Sequence, residues 1–187
     1  MDASTHLKLQ RTSGTARVRV IPSAGATRLD VLYQEGAAKI WLPRDRRRIW
    51  AEAVLINTAG GLTGGDSICW EAEAAAGATL VLTTQACEKV YRASSGIADV
   101  EARLVAGEGA HLAWLPQETI LFNESALSRR IDVHLAANAT CLILEPVIFG
   151  RQAMGEEVRE TMLRDRWRVR CGGALVHAED LRMEGDA

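Results

Sequence analysis

Apolar and polar residues alternate one for one in six separate stretches of this chain, and that period of two restricts it to half-buried β-strands. Ala16, Val18 and Val20 alternate with Arg17 and Arg19. Ile68, Trp70, Ala72 and Ala74 alternate with Cys69, Glu71 and Glu73, and Val100, Ala102 and Leu104 with Asp99, Glu101 and Arg103. The rhythm returns at Leu112 and Trp114 after His111, at Ile131, Val133 and Leu135, and at Trp167, Val169 and Cys171, where arginines fill the alternate positions. Turn residues separate the runs: Pro22-Ser23-Ala24-Gly25, Glu35-Gly36, Gly107-Glu108-Gly109 and Gly172-Gly173. The last predicts a hairpin joining residues 166–171 to 174–178. Many short strands with regular punctuation predict a mainly β domain whose sheet edges must be closed, stacked or covered by a partner. Two segments read as short helices. Residues 85–93 place Ala86, Val90 and Ala93 on one face, and residues 152–163 are rich in helix formers, although Gly155 costs about 1 kcal/mol there. No clear internal repeat stands out.

A chain of 187 residues fits one domain, here residues 1–187, with a continuous core that needs no disulfides. A formal net charge of −2 gives no footprint for nucleic acid or an anionic membrane. Residues 1–10 are polar and carry no signal-peptide core, and no run of apolar residues is long enough to span a bilayer, so a cytoplasmic protein is expected. Cys69, Cys87, Cys141 and Cys171 form no CxxC pair, which argues against a disulfide framework or a zinc site and for small buried hydrophobes.

Four segments could carry chemistry. In Asn57-Thr58-Ala59-Gly60-Gly61-Leu62-Thr63-Gly64-Gly65-Asp66, four glycines in six positions demand unusual backbone angles or close approach of another backbone. No Gly-Lys-Ser/Thr follows, so a P-loop is excluded; the simplest reading is a tight crossing with Asp66 capping a turn, and Asp66 as a working buried carboxylate stays open. In Leu82-Thr83-Thr84-Gln85-Ala86-Cys87-Glu88-Lys89-Val90-Tyr91-Arg92, Cys87 lacks an upstream histidine at nucleophile spacing, and a structural polar turn is the better reading. In Trp114-Leu115-Pro116-Gln117-Glu118-Thr119-Ile120-Leu121-Phe122, the proline ends one strand, Thr119 to Phe122 begins another, and Gln117 and Glu118 are the polar candidates. In the fourth, Glu145 directly follows an apolar run and must be at the rim or buried and paired, with Arg151 its natural partner and Glu156 a second carboxylate. His6, His111, His134 and His177 are scattered, and no HExxH occurs, so no zinc hydrolase is indicated. The run at 44–48, four arginines around Asp45, reads as a solvated loop or sheet edge, or as a contact for an acidic partner surface.

Taken together, these segments resemble the UreD (also called UreH) urease accessory family. The resemblance rests on Gly60-Gly61-Leu62-Thr63-Gly64-Gly65-Asp66, on Thr83-Thr84-Gln85-Ala86 with Lys89-Val90-Tyr91-Arg92, on Trp114-Leu115-Pro116-Gln117-Glu118-Thr119-Ile120, and on Glu145 with Gly150-Arg151 and Gly155-Glu156, in that order across most of the chain. It implies a stacked-strand, β-helix-like scaffold with one or two short helices. It also implies a protein that is no enzyme but a chaperone-like accessory factor, binding a UreF-type accessory protein, a UreG-type GTPase and the urease apoprotein during nickel insertion. No tightly bound cofactor is implied. Nickel(II) would pass transiently along acidic groups, for which Asp66, Glu145 and Glu156 are the candidates. Gly60, Gly61, Gly64, Gly65, Thr84, Gln85, Lys89, Tyr91, Arg92, Pro116, Gln117 and Arg151 would serve structure or partner contact. Family members usually continue beyond a stretch like residues 175–184, so a C-terminal part of the family is expected to be missing here. The alternatives are an interaction module that never touches metal and a cofactor-free hydrolase, for which the sequence offers no grouping of base and oxyanion donors.

Overall fold

The alternating runs become the strands of a solenoid. The computed structural model describes residues 10–45, 47–151 and 154–186. In chain order the strands are β1 (Ser13–Ser23), β2 (Ala26–Gly36), β3 (Ala38–Trp41), β4 (Ala51–Asn57), β5 (Ser67–Ala74), β6 (Thr79–Thr84), β7 (Glu88–Val90), β8 (Ala98–Ala106), β9 (His111–Trp114), β10 (Thr119–Leu121), β11 (Ser125–Leu135), β12 (Thr140–Ile143), β13 (Val147–Phe149), β14 (Glu160–Cys171) and β15 (Ala174–Asp186). They form a seven-stranded sheet in the order β15-β14-β11-β8-β5-β1-β2, a five-stranded sheet β12-β9-β6-β4-β3, and a narrow three-stranded sheet β13-β10-β7. The strands from β1 to β14 in the large sheet run parallel, and antiparallel β2 and β15 close its two ends.

Each coil contributes one strand to each sheet: β6, β7 and β8; then β9, β10 and β11; then β12, β13 and β14. An earlier coil runs from β4 through Leu62, which bridges to Val90, into β5. Coils begin at residues 51, 79, 111 and 140, about thirty apart, so the chain does carry an internal repeat. Its sequence trace is faint because the conserved element is a turn geometry. At 75–78, 107–110 and 136–139 the fourth residue's N–H returns to the first residue's carbonyl, and each turn bonds to the coil before it. Three different sequences, Ala-Ala-Gly-Ala, Gly-Glu-Gly-Ala and Ala-Ala-Asn-Ala, satisfy this geometry.

The core fills the space between the sheets. Val18, Val20, Ala74, Leu104 and Val133 from the large sheet, and Ala53 and Leu80 from the five-stranded sheet, have no exposed surface. Fully burying a leucine or valine in this way contributes roughly 1.5–3 kcal/mol. Outward positions of the large sheet form a row of alternating charge across five strands, Arg17, Glu71, Arg103, Asp132 and Arg168, in direct register. A one-residue slip would break that row and turn the apolar set outward, so charge and burial specify the same register. The outer face of the five-stranded sheet is instead mixed, with Val54, Val81, Ala113 and Leu142 beside Glu52, Thr83, His111 and Thr140.

Neither expected helix forms, and no α-helix occurs among the described residues. Within 85–93 the chain makes β7, because Glu88, Lys89 and Val90 pair with β10; a ladder repeated coil after coil outweighs local helical preference. Gln152 and Ala153 lie outside the described residues. After them Gly155 adopts φ +69°, residues 156–159 are irregular, and Glu160 opens β14. The Gly172-Gly173 hairpin joins β14 to β15 as expected.

Candidate functional site: a carboxylate-lined interior cavity

The segment corners between the five-stranded and three-stranded sheets stack on one another, and a cavity of about 260 Å³ opens beneath them. Exposed Gln85, Ala86 and Gln117 stand at its mouth, while Trp70, Leu127 and Arg129 lie at its inner end. Gly60, Thr84, Gln85, Lys89, Pro116, Gln117 and Glu145, all singled out in the sequence, line this one space from four successive coils. The Thr84 hydroxyl donates to the carbonyl of Ala86 and accepts from the Gln117 N–H, which ties the corners of two coils together.

At the inner end lies a buried charge network. Arg129 donates to Glu145 at 2.5 Å and reaches Asp165 with two nitrogens, at 3.1 and 2.5 Å. The indole of Trp114 donates to Glu145 at 2.6 Å, and that of Trp167 to Asp165 at 3.0 Å. The side chains of Arg129, Glu145 and Asp165 are only 4%, 5% and 7% exposed, so the donors replace water that these charges have lost. One guanidinium faces two carboxylates. Burial pushes the Glu145 carboxyl up, and Arg129 and Trp114 only partly pull it back. Arg129 is itself held protonated, since Asp165 and Glu145 outweigh the opposing effect of burial.

The partner of Glu145 is therefore Arg129 and not Arg151. Arg151 pairs with Glu156 at 2.8 Å and stacks over the Phe122 ring at 4.6 Å. Phe122 in turn meets Tyr91 edge-on at 5.0 Å. Arg92 pairs with Glu124 at 2.6 Å. Arg151 and Glu156 are held only five residues apart by the turn around Gly155, a local pairing that outcompetes one across the corner.

Nearer the mouth, Glu88 lines the cavity with Asn57, whose amide donates to both carboxylate oxygens at 3.1 and 3.2 Å. Burial pushes the Glu88 carboxyl up, and the Asn57 bonds offset only part of that. Asp66 accepts the N–H groups of Thr12 and Thr63, both at 2.8 Å, and so caps the glycine-rich turn. The glycines serve close packing: a Cβ on Gly64 would stand 2.3 Å from the Ser95 carbonyl oxygen, and one on Gly61 2.4 Å from the Tyr91 ring. These backbones press against the chain's own next coil, which leaves no cradle for a phosphate.

Asp66 and Glu156 lie outside the cavity lining, and among the described residues no three His, Cys, Asp or Glu side chains gather into a metal cluster. His111 meets the Thr140 hydroxyl and His177 lies 3.9 Å from Glu179, while His6 is outside the described residues. Sequence reasoning missed Arg129, Asp165 and Glu88. The signal for the first two was present, because Arg129 falls on the inward phase of Leu127, Ile131 and Val133, and Asp165 on that of Leu163 and Trp167.

Residues 12–187 match the family described as UreD urease accessory protein. A protein of Agrobacterium fabrum named urease accessory protein UreD is 55% identical over 185 residues, 99% of this chain and 65% of the relative. Its namesake in Sinorhizobium medicae is 53% identical over 186 residues, 100% of this chain and 67% of the relative, and urease accessory protein UreD 1 of Brucella ovis is 52% identical over 180 residues, 96% and 64%. The chain thus spans about two thirds of the length of these curated relatives. On a match that runs through all four coils at more than half identity, the chain belongs to the UreD family of urease accessory proteins.

Proposed function

We propose that this chain is a scaffold for urease maturation that holds the urease apoprotein together with UreF-type and UreG-type partners, and that nickel(II) passes transiently through its interior cavity. The observation that carries the metal part is the pairing of Glu88 near the mouth with Glu145 at the inner end of one space. The Glu145 side chain is buried and Glu88 half-buried, and both are pushed toward protonation by lost hydration. A divalent cation supplies the counter-charge that Glu88 lacks and that Glu145 shares with Asp165 through a single guanidinium. Among the described residues neither belongs to a cluster of three ligands, so any hold these carboxylates have on the ion is weak, as transfer requires. Arg129 competes for Glu145 and keeps that position from trapping the metal. Asp66 and Glu156, already bonded to backbone N–H groups and to Arg151, act as structural carboxylates beside this route.

The test is urease activation in cells whose urease operon lacks this gene, with the chain or its variants supplied back. Glu88→Gln with Glu145→Gln lowers nickel content and activity while the chain still co-purifies with its partners. Glu156→Gln leaves activation near that of the parent. Full activation by the double variant would remove the cavity from the route and leave an interaction module that never touches metal.

A further inference from the structure

Strand β2 is the end strand of the seven-stranded sheet, and among the described residues only β1 pairs with it. Every residue from Arg28 to Gly36 is exposed. Both faces carry apolar side chains: Leu29 is 44% and Leu32 39% exposed on the face of the core, and Val31 is 39% and Tyr33 47% exposed on the other. A long free edge with apolar side chains is a template for another strand. The strand at the opposite end, β15, is a poorer template. Its Asp180, Arg182 and Glu184 are already paired with one another or with arginines of β14.

The β2 edge complements itself. Arg19 stands opposite Val31 and Val20 opposite Leu29, so Asp30 is an extra residue, a bulge that Arg19 holds by an ion pair. The bulge brings Arg28 to the outward face, opposite Ile21, as Glu35 is opposite Thr15. Without it, the odd spacing of Arg28 and Glu35 would put the two charges on different faces. Among the described residues Arg28 has no carboxylate partner and Glu35 no cationic one; the Glu35 carboxylate accepts the Tyr33 hydroxyl at 2.5 Å. When a second β2 lies antiparallel to the first about a two-fold axis at Leu32, Leu32 meets Leu32 and Val31 meets Tyr33. Leu29 then meets Gln34, and Arg28 meets Glu35 on both sides of the axis. The two bulges fall symmetrically, every pair shares a face, and opposite charges stand together. Backbone direction agrees. The Ala37 N–H donates to Ser13, on the side of β1, and the Thr27 N–H donates away from β1, to Ile49. Alternation from either end then aims the backbone of Leu29, Leu32 and Gln34 at the free edge, and these are the residues that this register joins.

We infer that this chain forms a two-fold dimer in which β2 pairs antiparallel with β2 of a second copy, joining two seven-stranded sheets edge to edge. This inference does not depend on metal transit.

Sedimentation equilibrium of the purified chain tests it, and a reversible monomer–dimer equilibrium is expected. Arg28→Glu and Glu35→Arg each set like charges together at both ends of the paired strands. Each should weaken dimerisation at least about tenfold. Mixing the two variants recreates both opposite-charge pairs, so a heterodimer should form with close to the parent's affinity. The mixture also controls for folding, since a misfolded variant could not recover its partner. One chain carrying both changes should dimerise as the parent does. A parent chain that stays monomeric into the submillimolar range overturns the proposal. So does a dimer indifferent to either change, or a pair of variants that fails to recombine. Assemblies larger than a dimer overturn it too, because an edge closed by a two-fold axis cannot add a third copy. No urease component enters the assay, so a failed activation experiment leaves its outcome untouched.

Discussion

Arg129 meets Glu145 at 2.5 Å with both side chains about 95% removed from solvent, and the same guanidinium grips Asp165. Among the described residues the arginine is the only cation within that network of two carboxylates and two indoles. Arg129→Met strands both carboxylates in the interior and should cost about 3–5 kcal/mol. Adding Glu145→Gln and Asp165→Asn to that variant removes the stranded charges and should recover most of the loss. Urea unfolding of the single and triple variants measures both; equal stabilities would mean that water, and not Arg129, satisfies these carboxylates.

Gly64 and Gly60 separate two reasons for glycine in one turn. Gly64 needs no positive φ, yet a Cβ there would stand 2.3 and 2.5 Å from two carbonyl oxygens of the next coil. Gly64→Ala must push coils apart and should cost about 1–3 kcal/mol, as overpacking does. Gly60 has open space around it but φ +75°, so Gly60→Ala should cost about 1–2 kcal/mol through backbone strain alone. Crowding also predicts local damage near Ser95 and Gly96 in Gly64→Ala, read as faster amide exchange there, which Gly60→Ala should lack.

The strands were legible because alternation is a local signal, and each inward set, from Val18 to Val133, is buried as the pattern requires. The stacking was not. A parallel coil is stabilised by ladders between residues about thirty positions apart, and Glu88, Lys89 and Val90 carry no strand pattern of their own; they extend because β10 lies beside them. For the same reason a helical reading of 85–93 was reasonable locally and wrong globally. The cavity lining was half legible. Glu145 announced itself as a carboxylate ending an apolar run, whereas Arg129 was hidden beside Arg130, and only the phase of the alternation tells which arginine points inward.

The Cys141 thiol is pushed up to about 11 by burial, with no cation near it to favour the thiolate. The thiolate is the reactive form, so Cys141 should resist alkylation at neutral pH. Mass spectrometry after brief iodoacetamide treatment at pH 7.5 should leave Cys141 unmodified in the folded chain and modify it in urea. Rapid labelling without denaturant would mean that β12, at the edge of its sheet, opens far more readily than its pairing with β9 implies.

Glu88 makes a prediction with a definite sign. Its carboxyl is pushed above the ordinary 4.5 because burial disfavours the charged form more than Asn57 supports it. The folded state therefore holds the Glu88 proton more tightly than the unfolded state does. The stabilisation from that proton is fully present below the ordinary value and is lost as pH rises through the raised folded value. At neutral pH the charged side chain is a liability that glutamine lacks. Glu88→Gln should then melt above the parent at pH 7, and the gap should close as pH falls toward 4.5. Thermal melts across this range read the difference directly. If nickel(II) visits this carboxylate, adding the ion at pH 7 should raise the parent's melting temperature and raise that of Glu88→Gln less, since the variant keeps only Glu145 as a charged oxygen donor in the cavity.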